Sequence, residues 1–237
     1  MNILAIDTTG GGSGCAVISA NENETKIIAE FTIAAGLTHS ETIMPMIEAT
    51  LGIAGLAKNS INLLAVAAGP GSFTGLRIGA ACAKGLAMGL CIKIVPVSTL
   101  DAMAYNMVMD SKSAGFGRDI IVPIMDARRG QVYAAIYEAA NGGISLLSDY
   151  ICGEFGEIVE IIGNRNAVFL GDGVDVHKST IQNYPNFAIA PVGHNLQRSA
   201  LVGLIAAKNI DAAINPEDFE LIYIRKPQAE REREGVL

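Results

Sequence analysis

The order of apolar and polar positions divides the chain into a series of strands and helices that runs twice. Continuous apolar runs predict buried strands, alternating runs predict half-buried strands, and apolar residues three or four apart predict helices. In the first half these patterns predict, in chain order, strands over Ile3–Ile6, Cys15–Ser19 and Lys26–Ile33, a helix from Thr38 to Leu51, a strand over Leu63–Ala68, a helix over Thr74–Leu90, a strand over Ile92–Val95 and a helix that starts at Ser98.

The first of these helices has a recognisable start. Thr38 is the expected cap, and Glu41 three residues later completes a capping box. Pro45 removes one helix hydrogen bond, so we expect a bend there. The apolar face of this helix is predicted to consist of Ile43, Met44, Ile47 and Leu51.

The second half repeats the plan. Its predicted elements are strands over Ile120–Met125, Gln131–Glu138, Ile144–Ile151 and Ala167–Leu170, helices over Phe155–Ile162 and Asn195–Lys208, and a hairpin turn at Asn141-Gly142. The first strand of each half ends in an aspartate, Asp7 or Asp126. The fourth strand of each half runs into a turn with two glycines, Gly69-Pro70-Gly71 or Gly171-Asp172-Gly173. We therefore predict an internal duplication, with one lobe over residues 1–115 and another over residues 116–237.

A duplicated α/β unit of the order βββαβα, with an aspartate after each first strand, resembles the actin, heat-shock ATPase and sugar-kinase superfamily. In that superfamily two hairpins flank the phosphates of a nucleotide. The resemblance implies a nucleotide site here, which could be vestigial, at Asp7, Thr8, Thr9, Asp126, Gly171 and Gly173. Fold alone does not give a function, so this site stays an expectation.

Composition narrows the function classes. Half of the 237 residues are hydrophobic and 17% are charged, which excludes a disordered chain. The net charge is −7, and the adjacent basic pairs are Arg128-Arg129 and Arg225-Lys226, so tight binding of nucleic acid by this chain alone is disfavoured. The four cysteines form no CxxC pair, and we expect no secretory signal at the N-terminus. We expect a cytoplasmic protein.

Glycine and alanine recur at helical spacing after Gly69-Pro70-Gly71, which is neither a Walker loop nor a nucleophile elbow. One ridge consists of Gly75, Gly79, Ala83 and Ala87, and an adjacent ridge of Ala81, Gly85 and Gly89. Each helical glycine costs roughly 1 kcal/mol relative to alanine, so something must approach this helix closely. Packing on the chain's own sheet and contact with another subunit, with Arg77 and Lys84 at the margin, both remain open.

Several segments together closely resemble the TsaB family, also called YeaZ. These segments are Leu4–Thr9, His39-Ser40-Glu41, Met44–Ile47, Gly69–Gly79, Ala83–Ala87, Pro96–Leu100, Asp126–Tyr133 and Tyr223–Pro227. The resemblance implies a non-catalytic adaptor that dimerises with and activates the catalytic paralogue TsaD, which makes threonylcarbamoyladenosine at position 37 of ANN-decoding tRNAs. It also implies recruitment of the ATPase TsaE, and contact with tRNA only through the complex.

The family's dimer surface is formed by its first two helices. The resemblance therefore implies a partner interface here, which could also support a homodimer, at His39, Glu41, Ile43, Met46, Ile47, Phe73, Gly75, Arg77, Gly79, Ala83, Lys84 and Ala87. The catalytic paralogue binds metal through two histidines four residues apart, and here Ile43 stands four residues after His39. We expect no metal site, no catalytic residue and no cofactor in this subunit, with ATP or ADP and magnesium reserved for the complex.

Two alternatives remain. Asp7, Asp126 and the two glycine turns favour a nucleotide-dependent enzyme, either kinase-like or glycopeptidase-like. Arg128-Arg129, Arg225-Lys226 and the charged tail Glu230–Glu234 favour a direct tRNA-binding module, although a tail of alternating sign is typical of a solvated end.

Overall fold

The computed structural model describes residues 1–34, 36, 38–110, 120–140 and 143–225. It divides into two compact units. Unit 1 comprises Met1–Ala102 with Gln197–Leu221, and unit 2 comprises Met103–Leu196 with Ile222–Leu237. The division differs from the predicted lobes 1–115 and 116–237, because the last helix packs on the first sheet and most of the third helix belongs to unit 2.

Unit 1 is a mixed sheet with helices on both faces. Its strands are β1 Asn2–Asp7, β2 Ser13–Ala20, β3 Thr25–Ile33, β4 Leu63–Gly69 and β5 Lys93–Ser98, in the order β3-β2-β1-β4-β5. Strands β1, β2 and β3 pair antiparallel, and β4 and β5 join in parallel. Its helices are α1 His39–Ile53, α2 Phe73–Leu90 and α6 Ser199–Lys208, while α3 Thr99–Asp110 begins in unit 1 and continues into unit 2.

The alternation of side chains along β2 separates the helices of unit 1. The hydroxyl of Ser13 lies 2.9 Å from that of Thr42 on α1. Ile18, on the opposite face, contacts α6 so closely that a Cβ at Gly203 would come within 2.4 Å of its side chain. The sheet is therefore covered on both faces, which explains the nearly continuous burial of β1, β2 and β4.

Unit 2 repeats the strand order of unit 1. Its strands are β6 Ile120–Asp126, β7 Gln131–Ala134, β8 Tyr137–Ala140, β9 Gly143–Leu146, β10 Ile151–Glu154, β11 Ala167–Leu170 and β12 Phe187–Ile189, and its helices include α4 Phe155–Ile162 and α5 Gly173–Gln182. The order β10-β7-β6-β11-β12 matches β3-β2-β1-β4-β5 position by position. The chain is thus a duplicated α/β fold, which confirms the fold class predicted from the sequence.

Some elements differ from their predictions. The segment predicted as one strand over Gln131–Glu138 forms two strands, β7 and β8. Residues Ala134 to Tyr137 are all buried, so the alternation of more and less buried side chains stops at the break between them. The strand predicted over Ile144–Ile151 likewise divides into β9 and β10. Neither α5 nor β12 was predicted, and α6 begins at Ser199 rather than Asn195. The turn predicted at Asn141-Gly142 lies outside the described residues.

Helix α1 begins after Thr38 as predicted, but its cap differs. The Thr38 hydroxyl donates to the Glu41 carboxylate instead of accepting a backbone N–H. The predicted apolar face is correct at Ile43, Ile47 and Leu51, which are buried. It is wrong at Met44, which is exposed while Met46 is buried. Within the described part of the chain, no helix is both long and apolar enough to cross a membrane.

Candidate functional site

The aspartates that end the first strands of the two units form the same local turn. The Oδ1 atom of Asp7 accepts the N–H of Thr9 at 2.9 Å and its hydroxyl at 2.7 Å. The Oδ1 atom of Asp126 accepts the N–H of Arg128 at 2.8 Å. An Asx-type turn therefore starts each following hairpin, so one oxygen of each carboxylate is used by the fold itself.

The second carboxylate oxygen of Asp7 is not used by the turn. Among the described residues, this Oδ2 atom has no hydrogen-bond partner, although Asp7 is buried. Burial raises the pKa of Asp7 above its ordinary value, while the bonds from Thr9 and the nearby His39 lower it. The Nδ1 atom of His39 is likewise buried with no partner in the part of the chain that the structure describes.

Thr8 and Thr9 bring the end of β1 against the start of α2. The Thr8 hydroxyl donates to the Gly75 carbonyl at 2.7 Å. A Cβ at Gly75 would stand 2.0 Å from the Thr8 carbonyl oxygen, and one at Gly79 would stand 2.3 Å from Oγ1 of Thr8. The Thr9 carbonyl accepts the N–H of Ser72 at 2.7 Å. Gly75 and Gly79 are therefore required by packing inside unit 1.

Close approach of another backbone segment also requires glycine in the turn of unit 2 at Gly171-Asp172-Gly173. Gly171 has φ of +103°, and a Cβ there would stand 2.3 Å from the Ile124 carbonyl oxygen. The Asp172 carboxylate accepts the N–H of Asp126 at 3.2 Å, and burial, with the nearby charge of Asp126, raises its pKa. Two carboxylates thus lie close to the N-terminus of α5, where they repel a phosphate that approaches without a cation.

Much of the predicted partner interface is buried inside unit 1. Ile43, Met46 and Ile47 are at most 2% exposed, and Ala83 and Ala87 are fully buried. The ridge of Gly75, Gly79, Ala83 and Ala87 therefore packs against the chain's own sheet, as the first of the two open alternatives states. These residues do not present a surface to a partner, so their place in the predicted interface is corrected.

Other predicted interface residues lie at or near the surface. Phe73 is 41% exposed, and the Arg77 guanidinium stacks 3.9 Å from its ring centroid. Lys84 is half-buried, with its ammonium 6.0 Å from the ring centroid of Phe219. Glu41 is exposed.

The second small ridge of α2 faces outward. Ala81, Gly85 and Gly89 are exposed, and a Cβ at Gly85 or Gly89 would meet no atom of the described chain within 4 Å. Met88, beside them, is 57% exposed. We call Ala81, Gly85, Met88 and Gly89 the outer face of α2. The spacing of its small residues was visible in the sequence, but spacing does not show which of two small ridges faces the sheet.

Helix α1 extends this apolar surface. Met44 is 36% exposed, and its sulfur lies 3.4 Å from the sulfur of Cys82 on α2. The described residues contain no group of three or more histidine, cysteine, aspartate or glutamate side chains that could hold a metal ion. Met44 and Met88 give this region exposed apolar side chains.

Comparisons with known proteins show what this chain is similar to. Residues 31–219 match the family model described as TsaD, tRNA N6-adenosine threonylcarbamoyltransferase. The chain is 36% identical over 245 residues to the tRNA threonylcarbamoyladenosine biosynthesis protein TsaB of Bacillus subtilis, with 100% of this chain and 92% of that protein covered. It is 32% identical over 182 residues to the Haemophilus influenzae protein of the same name, with 73% and 72% covered.

A solved structure shows the same fold. YeaZ from Pseudomonas aeruginosa superimposes with a TM-score of 0.77 at 21% identity, over 94% of this chain and 99% of that one. This likeness shows the fold, in which the two units repeat the same strand order.

Proposed function

The chain belongs to the TsaB family, and from that premise we propose that it is a non-catalytic adaptor that dimerises with the catalytic paralogue TsaD and recruits the ATPase TsaE. Membership of the family gives it a role in tRNA threonylcarbamoyladenosine biosynthesis. The adaptor acts in the cytoplasm and needs no cofactor. It takes part in the modification of position 37 of ANN-decoding tRNAs only through TsaD, which carries out the reaction.

The outer face of α2 carries this proposal. Gly85 and Gly89 each cost the helix about 1 kcal/mol relative to alanine. Gly75 and Gly79 are explained by the approach of Thr8, whereas a side chain at Gly85 or Gly89 would meet open space within the described chain. A second helix that packs against this face would need both positions to be small, because close approach of two helices depends on the side chains at the contact.

The small residues on the outer face of α2 also suit a homodimer. A C2 dimer uses the same patch on both subunits, so one apolar helix face can serve a second copy of the chain or the paralogue. We propose that the heterodimer is the working form and that the isolated chain pairs with itself through the same face.

The residue four positions after His39 supports the non-catalytic part of the proposal. That residue is Ile43, which is 2% exposed and belongs to the core of unit 1. A histidine at this position would place a polar ring in an apolar environment, where it would need a partner. The helix is thus built to pack at the place where the catalytic paralogue holds its second metal ligand.

Reconstitution tests the proposal. Purified TsaD and TsaE with an ANN-decoding tRNA, ATP, threonine and bicarbonate are supplied with the threonylcarbamoyl adenylate synthase, and modified adenosine is quantified with and without this chain. We expect modification only when the chain is present, and a complex with TsaD on sizing. Full modification without the chain, or modification by the chain in place of TsaD, contradicts the adaptor role.

A nucleotide-dependent enzyme is the second candidate, and one observation favours it. The Oδ2 atom of Asp7 and the Nδ1 atom of His39 are buried polar atoms without partners among the described residues. Such atoms are normally paired, so a ligand could satisfy them. Calorimetric titration of the isolated chain with ATP and magnesium distinguishes the candidates: micromolar binding with turnover supports an enzyme, and its absence supports the adaptor.

A further inference from the structure

The basic pairs of the sequence meet at one hairpin of unit 2. Arg128 and Arg129 form the turn between β6 and β7. Arg225, far along the chain, donates from Nη2 to the Ala127 carbonyl at 2.6 Å and from Nη1 to Oε1 of Gln131 at 3.0 Å. Its guanidinium therefore holds both ends of the turn that carries Arg128 and Arg129.

The backbone of this turn is unusual for its residues. Arg128 and Arg129 have φ of +65° and +57°, and Gly130 follows at +76°. Among the described residues, Cys91 is the other non-glycine residue at positive φ. Hairpin turns of this conformation favour asparagine and glycine, because a side chain at positive φ is crowded by its own backbone. Two adjacent arginines are therefore kept here against the local conformational preference.

The turn is held rigidly while its arginine side chains face solvent. The N–H of Gln131 donates to the Arg128 carbonyl at 3.1 Å, and Asp126 binds the N–H of Arg128. The Arg128 side chain is 84% exposed, with one guanidinium nitrogen 3.4 Å from Asp126, and Arg129 is exposed. The fold thus supports the backbone of the turn and uses little of the arginine side chains.

One aromatic ring lies near Arg225, and a second aromatic residue precedes Arg225 closely in the sequence. The Arg225 guanidinium stands 5.8 Å from the ring centroid of Tyr133, which is half-buried. Tyr223, two residues before Arg225, is 40% exposed. Guanidinium groups bind phosphates, and exposed tyrosine rings provide stacking surfaces for unpaired bases, so this combination is typical of contacts with RNA.

We propose that the tip of the β6–β7 hairpin binds the phosphate backbone of the tRNA substrate, so that the chain contributes RNA contacts of its own to the modification complex. The proposal rests on the proposed function for the identity of the RNA. An exposed turn whose two arginine side chains face solvent suits an extended polyanion, whose phosphates lie on its surface, better than a small anion, which needs converging donors. A net charge of −7 keeps these contacts weak in the chain alone.

The test uses glycine at the two arginine positions. In R128G/R129G both guanidiniums are removed, while glycine accepts positive φ more readily than arginine, so the melting temperature stays level or rises. The control K93Q/K178Q removes two positive charges from exposed lysines elsewhere. Fluorescence anisotropy with an ANN-decoding tRNA transcript measures affinity across a salt series, for the full chain alone and for its complex with TsaD, whose assembly is checked by sizing without tRNA.

We expect R128G/R129G to bind the tRNA roughly 5- to 30-fold more weakly than the wild type at about 50 mM salt. The comparison uses the chain alone or the TsaD complex, whichever binds tRNA more tightly when the chain is wild type. For this variant the negative slope of log affinity against log salt should become shallower by about 1 to 2, which corresponds to two lost phosphate contacts. The lysine control should change the slope by much less than the glycine variant does.

The proposal is overturned by wild-type affinity in the glycine variant, by an equal loss in the lysine control, or by no tRNA binding in either wild-type form. Dissociation of the complex at unchanged tRNA affinity also overturns it, because the arginines then contact an acidic protein surface. Failure of the complex to assemble would count against the adaptor proposal, and the chain-alone measurement would still decide whether the hairpin binds tRNA.

Discussion

Helix α2 carries two glycines whose replacement by alanine should change stability in opposite directions. At Gly79 a new Cβ would stand 2.3 Å from Oγ1 of Thr8, which is buried and bonded to the Gly75 carbonyl. At Gly85, on the outer face of the same helix, a new Cβ would meet nothing within 4 Å of the described chain. Helix propensity favours alanine equally at both positions, so the difference isolates the packing.

The magnitudes follow from these contacts. The Gly79→Ala substitution gains about 1 kcal/mol in helix propensity. It loses about 1–3 kcal/mol to overpacking and about 1 kcal/mol if the Thr8 hydroxyl leaves its carbonyl. We expect a net destabilisation of about 1–3 kcal/mol. Gly85→Ala meets no such contact and should raise the free energy of unfolding by about 0.5–1 kcal/mol.

Urea unfolding of both variants provides the assay, and a double-mutant cycle makes it specific. Thr8→Ala removes Oγ1, after which the nearest remaining atom of that side chain is its Cβ, 3.6 Å from the new Cβ at position 79. Gly79→Ala should therefore cost much less in the Thr8→Ala background. Additive effects of the two substitutions, or equal stabilisation by both alanine variants, would refute the assignment of the inner ridge to internal packing.

Other predictions concern charges and thiols in unit 1. Burial raises the pKa of Asp7 in the folded protein above its ordinary value of 3.8. The stability contributed by the protonated carboxyl is therefore complete below that ordinary value and is lost as the pH rises through the raised pKa. Asp7→Asn should flatten this decline in urea unfolding at successive pH values, and parallel profiles would contradict it. Glu30 binds the Arg198 guanidinium at 2.7 Å and the N–H of Ala200 at 3.0 Å, so Glu30→Ala should lower the free energy of unfolding by about 1–3 kcal/mol; unchanged thermal unfolding would refute this. Burial raises the pKa of the Cys15 thiol to about 11, so at about pH 8 iodoacetamide should label exposed Cys91 well before Cys15, as peptide mass spectrometry would show; early labelling of Cys15 would count against the buried site.

The duplication could be predicted from the sequence because the sequence signals for it are local. An apolar run that ends in aspartate, and a strand that ends in two glycines, each reflect a short stretch of backbone. Asp7 and Asp126 end strands that occupy the same central position in the two sheets, and both form the same turn. Such features depend on neighbours along the chain, so spacing and residue type suffice to find them.

The features that the sequence did not resolve depend on contacts between distant segments. Both small ridges of α2 have helical spacing, and the approach of Thr8 decides which one is internal. The burial of Met46 in place of Met44 likewise depends on how α1 lies on β2. Residue type gives no sign that Arg225 reaches the turn at Ala127. In each case the deciding partner is more than thirty residues away.

The boundary between the two units also depends on contacts between distant segments. A boundary near the middle of the chain follows from the repeat, yet the sequence pattern of α6 only predicts a helix. Gly203 allows that helix to lie against Ala5 and Ile18, which places it on the first sheet. Glu30 on β3 then fixes its start through Arg198 and Ala200.

The adaptor role depends most directly on the outer face of α2, and a matched pair of leucine substitutions tests it. Gly85 and Gly156 are both exposed helical glycines at which a Cβ meets nothing within 4 Å of the described chain. Leucine should therefore leave the fold of either variant intact. Calorimetry of each variant against TsaD should show at least a tenfold loss of affinity for Gly85→Leu, about 1.4 kcal/mol, and wild-type affinity for Gly156→Leu. Wild-type affinity for TsaD in the Gly85→Leu variant would contradict the account.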